Sequence, residues 1–152
     1  MTPKYGDVVR VDMDGVLVSE PTADQERVCR EACGNPDVHW SDLPGIFAVL
    51  EPKQGAIEAF HALKKHYEVH IVSTAPRRNF SAWSDKAAWV AKYLPEYEEI
   101  LTLTHHKNKF VGDWMIDDRM MRGVQLMQRE SVVLFGQAPF DNWEKVRLFF
   151  NV

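Results

Sequence analysis

Residues 8–17 read Val-Val-Arg-Val-Asp-Met-Asp-Gly-Val-Leu, a short and largely apolar run that delivers two carboxylates, two residues apart, into a glycine turn. Such a run suits a buried parallel strand, and a buried strand has no structural use for two aspartates. In a strand, residues i and i+2 share a face. Asp12 and Asp14 are therefore expected together at the strand's carboxyl end, where open α/β sheets bind ligands. Two adjacent carboxylates repel unless a cation lies between them, so the feature predicts a parallel α/β sheet and a Mg²⁺ site close to the N-terminus. Asp-x-Asp-Gly also opens Ca²⁺ loops, which need glycine at loop position six and glutamate at position twelve. Counted from Asp12, those positions hold Leu17 and Ala23, and the Ca²⁺ reading fails.

The rest of the chain alternates in a way that such a strand requires. After a first strand over Val8–Met13, Thr22-Ala23-Asp24-Gln25 is a capping-box pattern, and a helix over Ala23–Cys33 follows, stopped by Gly34-Asn35-Pro36. Ile57, Phe60 and Leu63 mark a helix from about Gly55 to His66; Val69–Ser73 reads as the second strand. Ala87, Val90, Ala91 and Leu94 form the next helical stripe. Ile100–Thr104, Trp114–Ile116 and Ser131–Phe135 read as three further strands, with a helix expected over Arg119–Gln128 between the last two. Alternating strands and helices imply a three-layer, Rossmann-like α/β fold with a parallel sheet of about five strands. Residues 18–52 are too long for an ordinary connection and carry their own helix. They are expected to form a small, mostly helical cap inserted into one core made of residues 1–17 and 53–152.

Bulk properties narrow the partners. A chain of 152 residues, 45% hydrophobic and 26% charged, suits one globular domain. A net charge of −4 without a long Lys/Arg run disfavours a nucleic-acid partner. No apolar stretch reaches membrane-span length and no signal-peptide apolar region stands at the N-terminus, so a cytoplasmic protein without a membrane partner is expected. Cys29 and Cys33 lack companions at zinc spacing.

Four segments that follow predicted strands each supply chemistry suited to a phosphate. Asp12-x-Asp14 is the first. Ser73-Thr74-Ala75-Pro76 places a hydroxyl at a strand end, where it can donate to a phosphoryl oxygen. Lys107 is a point charge after the third strand, with Lys109 as the other candidate. Ile116-Asp117-Asp118-Arg119 adds a second carboxylate pair able to complete a metal site. This order resembles the haloacid dehalogenase superfamily of phosphohydrolases over nearly the whole chain. Leu50-Glu51-Pro52-x-x-Gly55-Ala56, Lys86-x-x-Trp89-Val90-x-Lys92-Tyr93 and Leu103-Thr104-x-x-Lys107 make it most similar to the 5′(3′)-deoxyribonucleotidases within that superfamily.

The resemblance implies a Mg²⁺-dependent phosphomonoesterase that takes a small phosphomonoester, a (deoxy)ribonucleoside monophosphate. Asp12 would be the nucleophile that forms an aspartyl-phosphate, and Asp14 the acid and base. Thr74 and the backbone of Ala75 would hold the phosphate, and Lys107 would offset its charge. The metal would take Asp12, the main-chain carbonyl of Asp14, and Asp117, with Asp118 a ligand through water or an orienting neighbour. Where the family usually has Thr-Ser-Pro, this chain has Thr74-Ala75-Pro76 and lacks one side-chain donor. Ile46, Phe47 and Arg77 are candidates for a base pocket, although an apolar pair beside Leu50 such as Ile46 and Phe47 is more often core. Phosphatases of other small metabolites such as sugar phosphates, and a non-catalytic nucleotide-binding module, are the competing readings. Base and sugar preference, 5′ versus 3′ phosphate, and pairing as a homodimer are not encoded in the motifs.

Overall fold

β1 (Val8–Val11) takes the middle of a parallel sheet because it can be buried on both sides: Val9 and Val11 are fully buried, and even Arg10 is only 4% exposed. The computed structural model describes residues 1–152. In chain order β1 is followed by α1 (Ala23–Cys33), α2 (Ile46–Val49), α3 (Ala56–Lys64), β2 (Glu68–Ser73), α4 (Ala82–Tyr93), β3 (Leu101–Leu103), β4 (Trp114–Asp117), β5 (Val132–Leu134) and α5 (Trp143–Phe150). The five strands are all parallel, in the order β3-β2-β1-β4-β5, and helices flank them. The chain has an α/β, Rossmann-like fold, as its alternation of elements predicts. No helix is long and apolar enough to cross a membrane.

The two faces of the sheet are covered differently. Val9, Val11, Val69, Ile71, Trp114 and Ile116 project into one large apolar cluster that includes Ala59, Phe60 and Leu63 of α3 and Trp143, Val146 and Phe150 of α5. On the opposite face Met115 meets Val132 and Val124 in a small cluster, with Met120 and Met127 against it. The connections after β3 and β4 contain only 3-10 turns, at Lys107–Lys109, Val124–Leu126 and Arg129–Ser131.

Here the structure corrects the helix expected over Arg119–Gln128. Arg122 and Gly123 both adopt positive φ, 55° and 98°, which a right-handed helix does not allow. The Arg122 carbonyl accepts the Lys107 N–H at 2.8 Å, a long-range partner in place of one within a helix. Gly123 must stay small, since a Cβ there would collide with the Asn108 side chain and lie 3.0 Å from the Lys107 nitrogen. Conversely, α5 (Trp143–Phe150) is a helix beyond those the sequence patterns above predict. Its signals are the Asn142 side chain accepting the Lys145 N–H at 3.0 Å and the buried spacing Trp143, Val146, Phe150.

The segment between β1 and α3 leaves and rejoins the sheet side by side. Ser19 N–H donates to the Glu51 carbonyl at 2.9 Å, and Lys53 N–H to the Leu17 carbonyl at 2.8 Å. α1 begins where the capping box places it: the Thr22 hydroxyl accepts the Gln25 N–H at 3.2 Å, and the Gln25 side chain accepts the Thr22 N–H at 2.9 Å. Such a cap stabilises a helix by about 1 kcal/mol, too little to hold the segment alone. Buried indoles do more: Trp89 donates to the Leu50 carbonyl at 3.0 Å and Trp143 to the Val16 carbonyl at 3.0 Å, tying both ends of the segment to α4 and α5.

Candidate active site

Asp12 directly follows β1 and its N–H still donates to the Ile116 carbonyl at 3.0 Å, so it emerges beside the end of β4, where Asp117 is the last residue. Lys107, on the 3-10 turn after β3, inserts its ammonium between them, 3.0 Å from Asp12 Oδ2 and 2.6 Å from Asp117 Oδ2. All three groups are buried. Burial and the charge of Asp12 push the Asp117 carboxyl up to about 7, against the opposing pull of Lys107. Burial disfavours the Lys107 ammonium, but Asp12 and Asp117 outweigh it and hold its pKa above the ordinary lysine value. Of the two lysines weighed, Lys107 is the one the structure brings to the acids; Lys109 is exposed.

Asp118 completes the acidic group. One carboxylate oxygen from each of Asp12, Asp117 and Asp118 lies within 4.8 Å of the others. Burial raises the pKa of Asp118, with Arg119, 3.3 Å away, opposing. Asp12 Oδ1 is buried with no hydrogen-bond partner, and leaving such an atom unsatisfied is expensive. An orphaned hard oxygen beside two further carboxylates is a donor set that fits a divalent cation of the Mg²⁺ or Mn²⁺ type. Gly15 makes this convergence possible: at φ 76°, a Cβ there would stand 2.5 Å from Asp118 Oδ2.

Asp14 does not join the cluster through its side chain. Lys86 of α4, fully buried, places its ammonium 2.7 Å from both Asp14 oxygens and 3.2 Å from the Ser73 hydroxyl. Its charge also lies 4.5 Å from the centre of the Phe47 ring. Burial is the largest influence on Asp14 and raises its pKa, with Lys86 pulling it down. Lys86 appears in the sequence only as part of a family-like string. The readable signal was a lysine on the buried stripe Ala82, Lys86, Trp89, Val90, where a charge requires a partner.

A cavity of about 380 Å³ opens over these groups, lined among others by Asp12, Asp14, Thr74, Lys107, Asp117 and Asp118. Thr74 reaches it half-buried, with its hydroxyl donating to the Thr104 carbonyl at 2.7 Å. Its own proton is thereby engaged, and it neither caps α4 nor presents a free donor to the cavity. Ala75 is fully buried. The expectation that Ile46 and Phe47 face the substrate is corrected: Ile46 is fully buried, Phe47 is 2% exposed, and neither lines the cavity. Both belong to the main core because α2 packs against α4. The aromatic wall is Trp40, with Leu50 beside it, and Arg77, Arg78 and Arg122 bring positive charge to the rim. Trp40 stood in a stretch that reads as irregular, where no periodicity could orient it.

Comparison with known proteins adds to this geometry. The sequence profile described as 5′ nucleotidase, deoxy (Pyrimidine), cytosolic type C protein matches residues 22–145. A protein of Vibrio phage KVP40 named "Putative 5′(3′)-deoxyribonucleotidase" is 37% identical over 91% of this chain and 81% of its own length. The human protein named 5′(3′)-deoxyribonucleotidase, cytosolic type, is 28% identical over 84% of this chain and 78% of its own.

Proposed function

This chain belongs to the 5′(3′)-deoxyribonucleotidase family, within the haloacid dehalogenase superfamily, and from that premise we propose that it hydrolyses deoxyribonucleoside monophosphates through an aspartyl-phosphate on Asp12. It is a hydrolase of phosphomonoesters. The observation that carries the mechanism is the division of labour between the two aspartates: Asp12 shares Lys107 with Asp117, while Asp14 has its own cation, Lys86.

In this reading an Asp12 oxygen attacks phosphorus and the ester P–O bond breaks. Asp14 passes a proton to the departing alcohol oxygen, then accepts one from the water that cleaves the acyl phosphate. Lys86 keeps the Asp14 carboxylate apart from the Asp12, Asp117, Asp118 cluster, so that it serves the leaving group. Lys107 offsets charge gathering on the phosphoryl oxygens. The backbone N–H of Ala75 is the donor offered to the phosphate at this strand end, because the Thr74 hydroxyl gives its proton to the Thr104 carbonyl. Asp12, the Asp14 main-chain carbonyl and Asp117, with Asp118 alongside, would hold Mg²⁺, which when bound supplies Lewis-acid stabilisation of a charged phosphoryl group.

Residues 18–52 act as a small cap over this floor, and Trp40 offers a flat apolar face on which a nucleobase stacks. Arg77 adds charge near the entering phosphate. Cys29 and Cys33 are unpaired, which suits the reducing cytoplasm. A panel of paired ribo- and deoxyribonucleoside 5′- and 3′-monophosphates and sugar phosphates, assayed for phosphate release with Mg²⁺, tests the proposal. Preferred turnover of deoxynucleotides supports it. Equal turnover of sugar phosphates overturns the substrate class, and nucleotide binding without phosphate release makes the chain a binding module.

A further inference from the structure

Arg10 is an arginine in the central strand of the sheet, 4% exposed, with no carboxylate ion-paired to it. Its guanidinium is spent entirely on main-chain carbonyls of one loop: Nη1 donates to Phe110 at 2.6 Å, Nη2 to Gly112 at 3.1 Å and Nε to Trp114 at 3.1 Å. Burying a cation in this way is costly unless every donor is used. Gly112 is shaped to receive it, because a Cβ there would stand 2.6 Å from Arg10 Nε. The loop so gripped is the one that carries Lys107: the Phe110 N–H donates back to the Lys107 carbonyl at 3.2 Å, closing a single turn between the two.

The placement follows from the sheet. Arg10 and Asp12 are two residues apart and project to the same side of β1. Arg10 pairs in register with His70 and Met115, so it lies on the face whose connections hold only 3-10 turns. With no α-helix in those connections, the Lys107 turn depends on ties from elsewhere: the Arg122 carbonyl on one side and Arg10 on the other. The direct tie from β1, the Asp12–Lys107 ion pair, is altered whenever Asp12 becomes an acyl phosphate. Bonds from Arg10 to uncharged carbonyls are untouched by that change.

We propose that Arg10 is a positioning residue that holds the Lys107 turn in place throughout the reaction. The inference rests on the roles given above to Asp12 and Lys107. Two variants test it with Mg²⁺ and a deoxyribonucleoside monophosphate. Arg10→Met removes the donors, and Gly112→Ala leaves the arginine but displaces its head. Each is expected to lower kcat by about tenfold to a hundredfold, as a misplaced catalytic group does, with KM changed less than about twofold. Amide hydrogen exchange should accelerate over residues 105–113 and not over residues 68–73, and Arg10→Lys should recover only part of kcat. If both folded variants keep wild-type kcat and slow exchange in 105–113, Arg10 merely fills space and the proposal fails. A wild-type protein without phosphatase activity would overturn the functional reading alone, and exchange in 105–113 would still decide whether Arg10 holds the turn.

Discussion

The floor and the roof of the cavity are built on opposite principles. In the floor Asp12, Lys107 and Asp117 are buried and Asp14 is half-buried, and opposite charges meet at short range: Lys107 with Asp12 and Asp117, and Asp14 with Lys86 through both oxygens. The proposed roof, residues 18–52, has no buried residue in α1, and it meets the cavity through Ser19, Glu20, Leu50 and the 3-10 turn Trp40–Asp42 capped by His39. The acids and Lys107 converge from strand ends and the turn after β3, whereas Trp40 and its neighbours lie on a short turn beside α2, which is held by α4 and by the Asn79 and Ser81 side chains. The difference teaches where tolerance lies. Changes in the floor should alter the rate of the chemical step, and changes in the roof should alter which substrate is bound.

The sharpest break of that division is Asp12→Asn, which replaces the nucleophile by a far weaker one. Turnover should fall by about four orders of magnitude or more while nucleotide affinity stays within a few-fold; near-wild-type turnover would refute the role. Lys86→Met should come next. It strands Asp14 without its cation, an uncompensated buried charge of the kind that costs about 3–5 kcal/mol. The expected result is a Tm loss and a kcat lower by about a hundredfold, with the pH profile of kcat moved upward as Asp14 holds its proton longer. An unchanged pH profile would separate Lys86 from Asp14 function.

A third test uses pH and the metal together. The Asp117 carboxyl sits at about 7, above its ordinary 3.8, so between those values the folded protein retains a proton that the unfolded chain has released. Metal-free stability from this group is therefore fully present below about pH 4 and is lost as pH rises toward 7. A divalent cation needs the ionised carboxylate. The Tm difference between Mg²⁺ and chelator should then be wider near pH 8 than near pH 5.5, and equal differences would contradict the assignment of Asp117. The smallest effect belongs to the roof: Trp40→Ala should raise KM by roughly tenfold, the value of one lost stacking contact, and leave kcat within about twofold. A loss of kcat as large as that of a floor variant would erase the distinction between the two regions.

The parts that were legible from the chain alone are those whose determinants are close in sequence. The apolar run ahead of Asp12 and Asp14, the capping box at Thr22 and Gln25, and the strand ends at Ser73 and Asp117 each announce themselves within a few residues. The failed helix over Arg119–Gln128 shows the limit. Met120, Val124 and Met127 have helical spacing, yet Gly123 packs against Asn108 and Arg122 bonds to Lys107, contacts that no local pattern contains. Phe47 lies in the core and Trp40 at the cavity for the same reason: α2 packs onto α4, and a turn without periodicity faces the cavity.

The amino-acid sequence by itself determined which groups the proposed chemistry draws on, because Asp12, Asp14, Lys107, Asp117 and Asp118 stand in local strings at or just after the ends of strands. Tertiary structure alone decided how each is held. A buried charge must find a partner wherever the fold provides one. For Asp14 that partner is Lys86, 72 positions away, and for Arg10 it is a set of carbonyls 100 to 104 positions away. Helical and strand periodicities act over a few residues, and the electrostatics of burial acts across the whole chain.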